Sequence, residues 1–135
     1  MFIDFEKYAY TITNVSFEGK YKNECRVIIL ETDGGVIFKF KAMGYSVTTN
    51  KFREFENYEF TSLIGKKIEF MTAIEIPDYY IEKYNETDIE KGIYASYYLY
   101  QINFVNSDEI FQFIFVNLSE GDYEGWIETE VIESN

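Results

Sequence analysis

The amino-acid sequence predicts one mostly β domain of the α+β kind, spanning residues 1–135. We expect two three-stranded antiparallel halves, arranged as one small sheet, a sandwich or a barrel, with one or two short helices. Aromatic residues, which favour strands, make up 20% of the chain, with 13 Tyr and 13 Phe. A hydrophobic fraction of 47% argues against disorder despite a net charge of −12.

The segment CRVIILETDGGVIFKFKA (25–42) predicts the first hairpin, after a shorter strand at 8–19. Two strand-like runs flank Asp33-Gly34-Gly35, a turn sequence in which glycine reaches positive φ without steric cost. In the second run, apolar and polar side chains alternate from Val36 to Lys41. This alternation indicates a strand with one buried face.

The stretch between the two hairpins has a mixed pattern. NKFREFENYEF (50–60) spaces its aromatic residues by three, which predicts a short helix or single helical turns. SLIGKKI (62–68) predicts one more turn, and 66–76 predicts a strand ended by Pro77. The charged span 78–92 predicts a long loop, with a helical turn as the alternative.

YASYYLYQINFVNSDEIFQFIFVN (94–117) predicts the second hairpin, with its turn at Asn106-Ser107-Asp108. The arm Ile110–Val116 is apolar except for Gln112. Such a strand is covered on both faces, or packs one face on the core and the other on a second subunit. The second alternative leads us to expect a homo-oligomer.

Composition excludes several classes of function. The chain has no histidine, so it cannot form a Ser-His or Cys-His pair, and it offers one zinc-type ligand in total, Cys25. We therefore expect no enzyme, no metal and no cofactor, with Cys25 as a packed thiol. Pairs such as Glu54/Glu56 or Glu128/Glu130 are the enzymatic alternative, but 24 acidic residues produce such pairs by chance.

The same totals bear on partners and location. A net charge of −12 speaks against binding a nucleic-acid backbone directly, and permits plain solubility, a basic protein partner or nucleic-acid mimicry. The sequence shows neither a long apolar run nor a leader pattern. With one cysteine, we expect a cytosolic protein that uses no membrane.

Three segments carry a resemblance to known proteins: IILETDGGVIFKF, SLIGKKI and FVNLSEGDYEGWIE, in that order. They resemble an uncharacterised family of small β-rich bacterial and phage proteins that ends in a GYYGGW-like motif. They are also similar to the first family of phage anti-Thoeris proteins. Those look like oligomeric nucleotide sponges, which hold a cyclic ADP-ribose signal between subunits without cleaving it.

This resemblance implies a set of site residues. Asn117, Tyr123 and Trp126 match the closing motif, together with Gly121 and Gly125. The polar-loop segment of the family covers Tyr45, Ser46, Thr48, Thr49 and Phe52. Where the family motif has an arginine before the asparagine, this chain has Val116.

The chemistry of two loops leads to the same segments. A nucleotide needs aromatic faces for its base, and backbone N–H groups with a few cations for its phosphates. The loop 44–53 adds Lys51 and Arg53 to its hydroxyls, close to Lys39 and Lys41, while 117–126 adds Ser119. The alternatives are structural: the large aromatics cap a sheet end, Ser46 and the threonines cap a helix, and Arg53 pairs with Glu56 or Glu59.

The sequence therefore predicts a non-catalytic protein that binds and sequesters a small nucleotide immune signal, of the cyclic ADP-ribose or cyclic dinucleotide type, as a phage anti-defence protein. The alternative is an acidic inhibitor, such as an anti-CRISPR or toxin-immunity protein. It would block the basic groove of a host defence protein.

Overall fold

Ten strands dominate the computed structural model, which describes residues 2–5, 10–88, 90–121 and 123–133. The described residues also form two short helices, a 3-10 helix at Phe60–Leu63 and the α-helix α1 at Asp78–Tyr84. The strands are β1 Phe2–Asp4, β2 Ile12–Glu18, β3 Glu24–Cys25, β4 Val27–Thr32, β5 Val36–Gly44, β6 Thr48–Glu54, β7 Ile68–Ile74, β8 Ile93–Phe104, β9 Ile110–Glu120 and β10 Gly125–Glu133.

The strands form two antiparallel sheets, and each sheet contains strands from both halves of the chain. The large sheet has the order β1-β7-β8-β9-β6-β3, and the small sheet has the order β10-β5-β4-β2. The meanders β2-β4-β5 and β7-β8-β9 are the two expected halves. β6 leaves the first half to pair with β9, and β10 returns from the second half to pair with β5. The mostly β prediction is confirmed.

One apolar core lies between the two sheets. Phe38 and Phe40 of β5 and Phe113 and Phe115 of β9 are almost fully buried in the same cluster of side chains. Burying each phenylalanine contributes about 1.5–3 kcal/mol relative to leaving it exposed. The alternation predicted for β5 thus places Phe38 and Phe40 inward and Lys39 and Lys41 outward.

Strand β9 is covered on both faces within one chain. Phe113 and Phe115 face the core between the sheets, whereas Ile114 and Val116 are fully buried on the opposite face. There they pack in a second cluster with Tyr80 of α1. The first of the two sequence alternatives is therefore the observed one, and β9 itself gives no reason to expect a second subunit.

Both predicted hairpin turns are confirmed. Gly35 has φ +74° between β4 and β5, and Asn106 has φ +52° between β8 and β9. Glycine and asparagine are the residues that adopt this left-handed region most readily. The strand expected at 8–19 is β2; Tyr8 and Ala9 lie outside the described residues.

Several boundaries between the hairpins were predicted wrongly. Residues 50–54 belong to strand β6, because pairing with β9 places Asn50 and Phe52 on the buried side with a period of two. Local propensity yields here to tertiary pairing. Strand β7 ends at Ile74, three residues before Pro77. The helical turn that the sequence allowed within 78–92 is α1, at Asp78–Tyr84.

Two loops that contain Gly and Tyr, which the sequence predicts at 43–50 and 118–126 after the two hairpins (the Gly-Tyr loops), are also shorter than expected. β9 continues to Glu120 and β10 begins at Gly125, so Trp126 stands on a strand. Asp122 lies outside the described residues. Within those residues, the helices are all too short or too polar to cross a membrane.

Thr129 of β10 offers a test of the core. Its hydroxyl is buried and has no hydrogen-bond partner among the described residues. We expect Thr129→Val to keep or raise stability by up to about 1 kcal/mol, because an unsatisfied polar group is removed. Thr32→Val is the matched control, since the Thr32 hydroxyl donates to Val36 O at 2.7 Å. Urea unfolding that ranks the two variants in the opposite order would contradict this account.

Candidate ligand-binding cleft

A cleft of about 500 Å³ opens between the two sheets where β5 passes into β6. Its walls come from the turn that begins at Gly19, from the end of β5 and from the start of β6. Of the predicted site residues, Tyr45, Ser46, Thr48, Thr49 and Lys51 line it. The polar-loop segment chosen from the sequence therefore borders this cleft.

The edge of β6 faces this cleft. Among the described residues, β3 pairs only with Phe52 and Arg53, and the chain then leaves the sheet at Arg26. Glu54 N–H donates to Asn23 O at 3.4 Å, so alternate residues of β6 direct their backbone toward this side. Phe52 and Asn50 follow Glu54 in this alternation, and Asn50 lies beyond the segment of β6 that pairs with β3. Its main chain therefore faces the cleft, where an anion could accept a hydrogen bond.

Arg26 supplies the positive charge of the cleft. Its side chain is exposed and its stem packs against Gly19, where an added Cβ would lie 2.9 Å from the arginine Cδ. Within the described residues, no carboxylate forms an ion pair with Arg26. Sequence reasoning missed this residue. Its position directly after Cys25, at the break between two strands, was the available signal.

Tyr45, Tyr123 and Trp126 form an aromatic rim beside the cleft. The ring centroid of Tyr45 lies 5.9 Å from the ring centroid of Tyr123 and 5.6 Å from that of Trp126. All three side chains remain about half exposed, with Trp126 at 43%. The two Gly-Tyr loops predicted from opposite halves of the chain thus meet in space. Their rings keep faces that a flat ligand could contact.

A chain of hydrogen bonds holds this rim in place. Asn117 Nδ2 donates to Asn50 Oδ1 at 2.7 Å, and Asn50 Nδ2 donates to Thr48 Oγ1 at 2.8 Å. Thr48 Oγ1 donates to Tyr45 O at 2.6 Å. Asn117 and Asn50 are buried, so these bonds satisfy polar groups that would otherwise be costly. Asn117 and Thr48 therefore position Tyr45.

Ser119 holds the rim in place at Tyr123. The Tyr123 N–H donates to Ser119 Oγ at 3.2 Å, and Ser119 is itself buried. Asn117 and Ser119, both predicted from the sequence, thus lie on the inner face of β9 beneath the rim.

Gly44 and Gly125 let the two sheets approach each other at this point. They pair across β5 and β10 and lie directly over the Asn50 amide. A Cβ on Gly125 would clash with Asn50 Oδ1 and would lie 2.8 Å from Phe115 Cζ and 2.9 Å from Asn117 Nδ2. Any larger residue would push the small sheet away from the amides.

The structure does not bring Phe52 and Arg53 to the cleft. Phe52 is fully buried in the core between the sheets. Arg53 lies on the opposite face of β6, where its guanidinium donates to Glu24 at 2.6 Å and pairs with Glu86. The Arg53–Glu56 or Arg53–Glu59 pairing suggested by the sequence is replaced by this cluster. Trp126 stands on β10 and borders the cleft through Tyr45.

Lys51 lies at the boundary between the cleft and the cluster of charges around Arg53. It lines the cleft, but its Nζ lies 3.1 Å from Glu24 and 3.6 Å from Glu86. Lys39 and Lys41 face outward on the small sheet, where Lys41 pairs with Glu130 at 2.7 Å. The cluster of cations expected near 39–53 is thus mostly neutralised by carboxylates.

The titrations of two cleft residues follow from burial and charge. Burial raises the pKa of the Cys25 thiol to about 12, so it is protonated at neutral pH and is no nucleophile. Burial also raises the pKa of Glu24, but hydrogen bonds and charge from Arg53 and Lys51 outweigh burial and hold it below 4.5. Within the described residues, no cluster of three or more carboxylate or thiol groups is arranged to hold a metal ion.

Compared with models of known protein families, with curated proteins and with solved structures, the chain matches none at a significant level.

Glu24 predicts an acid-sensitive contribution to stability. Because its pKa is lowered in the folded state, this contribution is present above pH 4.5 and is lost as pH falls through the folded value. We expect Glu24→Gln to cost about 1.5–3 kcal/mol at neutral pH. The difference from the unaltered protein should shrink below pH 4.5.

Urea unfolding at the two pH values measures this effect. Glu109→Gln is the control, because Glu109 pairs with Lys66 on the surface and should change stability by less than about 1 kcal/mol. A Glu24→Gln penalty that persists unchanged in acid would show that charge is not its origin.

Gly125 gives a second test. We expect Gly125→Ala to cost about 1–3 kcal/mol through overpacking. In an Asn50→Ala background the same change should cost less, because the nearest clashing atom is gone. Unfolding free energies of the four proteins of this cycle measure the coupling. Strictly additive values would mean that the two sheets do not meet on the Asn50 amide.

Proposed function

We propose that this protein binds a small phosphorylated nucleotide in the cleft and holds it without chemical change. One observation carries the proposal: a single cleft combines Arg26, free of any ion pair among the described residues, with the open backbone edge of β6 and the aromatic rim. These three features match the three needs of a nucleotide.

Phosphate groups fit the Arg26 side of the cleft. A guanidinium binds phosphate in a bidentate manner, and backbone N–H groups add neutral donors. Asn50 N–H faces this region, and the hydroxyls of Ser46, Thr48 and Thr49 line it. A few local donors suffice here, even though the protein carries a net charge of −12.

The base of the nucleotide fits the rim. A purine stacked on an aromatic side chain contributes about 1–3 kcal/mol. Tyr45, Tyr123 and Trp126 offer such faces. Hydrogen bonds from Asn117 and Ser119 hold the backbone at Tyr45 and Tyr123, and Trp126 is held in β10 by pairing with β5. Little conformational entropy is then lost on binding, which favours affinity.

The chemistry of the cleft favours holding over cleaving. Its thiol, Cys25, stays protonated because burial raises its pKa to about 12. Glu24 is held by Arg53 and Lys51, so it is poorly placed to take a proton from a ligand. The chain has no histidine to act in their place.

A sequestering role in phage anti-defence follows from the resemblance together with this cleft. A protein that holds a cyclic ADP-ribose or cyclic dinucleotide signal intact lowers its free concentration. The family arginine position is occupied here by Val116, which is buried beneath α1 and points away from the cleft. We assign its role to Arg26. The cleft is lined by one chain, and self-association stays a prediction that a mass measurement in solution can test.

The acidic-inhibitor alternative has support from charge alone. Lys41, Lys51, Arg53 and Lys66 are each paired with carboxylates, so little basic surface offsets the excess acid. A basic protein partner would then bind in a salt-sensitive manner.

Binding of nucleotides tests the proposal directly. We expect ADP-ribose or a cyclic dinucleotide to give heat in calorimetry and to be recovered intact, by mass spectrometry, after denaturation. Arg26→Ala should weaken binding about tenfold or more, as charged hydrogen bonds contribute about 1.5–3 kcal/mol. Trp126→Ala should also weaken it.

Lys39→Ala is the matched control, because it removes the same charge from the outer face of the small sheet. If it weakened binding as much as Arg26→Ala, only net charge would matter. Absence of binding across a broad nucleotide panel would rule the proposal out, and recovery of a cleaved nucleotide would rule out holding without chemistry.

A further inference from the structure

A second cavity of about 260 Å³ lies on the other side of the aromatic rim. The small sheet ends at the pair Gly44 and Gly125, so the inner face of the large sheet is uncovered beyond that pair. The cavity lies on this uncovered part. Tyr94, Ser96 and Tyr98 of β8 line it and pair in register with Ser119, Asn117 and Phe115 of β9. We call this cavity the tyrosine groove.

The lining of the tyrosine groove suits an uncharged ring with hydroxyl groups. Tyr94 and Tyr98 stand on the same face of β8 and are 47% and 42% exposed. The ring of Tyr98 rests on Phe115, with centroids 6.0 Å apart, which fixes it as a flat support. Ser96 and Asn117 place a hydroxyl and an amide between the two tyrosines.

Charge separates the groove from the cleft. Among the described residues that line the groove there is no Lys or Arg, and Glu124 is the one charged side chain. A carboxylate repels phosphate, but it accepts hydrogen bonds from the paired hydroxyls of a ribose. The groove therefore disfavours the phosphate end of a nucleotide and favours a nucleoside.

Two contacts join the groove to the cleft. Tyr123 lines the groove, and its ring lies 5.9 Å from that of Tyr45, which lines the cleft. Asn117 also lines the groove, and it donates at 2.7 Å to Asn50, which lines the cleft. The two cavities are therefore neighbours, separated by these two pairs of side chains.

We infer that the tyrosine groove is the nucleoside subsite of a ligand whose phosphates occupy the cleft. This inference rests on the proposed function and extends it. The ligand class is then a nucleotide with a base and ribose at one end and a phosphate or pyrophosphate near Arg26. The base contacts Tyr123 of the rim and extends from there into the groove, where it lies between Tyr94 and Tyr98. Glu124 accepts from the ribose hydroxyls.

Calorimetry with ADP-ribose and with ribose 5-phosphate tests the inference. Loss of one stacked ring should weaken ADP-ribose binding about 5- to 150-fold in Tyr98→Ala and in Tyr94→Ala. Neither change should alter binding of ribose 5-phosphate, which has no base. Arg26→Ala should weaken both ligands. Tyr79→Ala is the control, because Tyr79 is an equally exposed tyrosine on α1, away from both cavities.

The outcomes separate the two proposals. If ADP-ribose binds in an Arg26-dependent way but both tyrosine variants bind it unchanged, the groove assignment falls and the cleft proposal stands. If neither these two ligands nor any other nucleotide of the broad panel binds the unaltered protein, both fall. Tyr94→Ala guards against misfolding of Tyr98→Ala, which loses the contact with Phe115. Should Tyr94→Ala dissociate an oligomer measured by mass in solution, the groove would be an interface between copies and the subsite would be overturned.

Discussion

The hydrogen bond between Asn117 and Asn50 marks the point on which the rest of the structure depends. On one side of it, Phe52 and Phe115 belong to the core between the sheets; on the other, Thr48 and Ser119 belong to the candidate site. Buried amides are tolerated here because they satisfy each other and because Gly44 and Gly125 leave room above them. The same strands thus change from core to site within two residues.

The electrostatics of the large sheet are divided between its faces. On the outer face, Arg53 is enclosed by Glu24, Glu86 and Tyr80, and it ties the segment after α1 to β3 and β6. This cluster uses cations that the sequence had suggested for a ligand. Arg26 lies at the other side of the β6 edge and forms no ion pair among the described residues, so the proposed phosphate site has a cation although the net charge is −12.

The crossing of β6 and β10 explains why a site forms at this end of the sandwich. Each strand leaves its own half of the chain to pair with the opposite meander, so the turns that precede them, at Tyr45 and at Tyr123, lie together. A simple stack of two meanders would leave these turns unrelated. The aromatic rim is therefore a consequence of strand exchange.

Local chemistry in the sequence determined the mostly β class, both hairpins and their turns, and the inward face of β5, because alternation and turn residues act over a few neighbours. It also indicated Tyr45, Thr48, Asn117, Ser119 and Trp126 as one region. Only the tertiary structure decided that 50–54 is a strand, that Arg53 faces away, and that Arg26 borders the cleft. Those outcomes depend on pairing between residues far apart in the chain, as in β6 with β9 and β3 with β6, and no local pattern records which distant strand will be the partner.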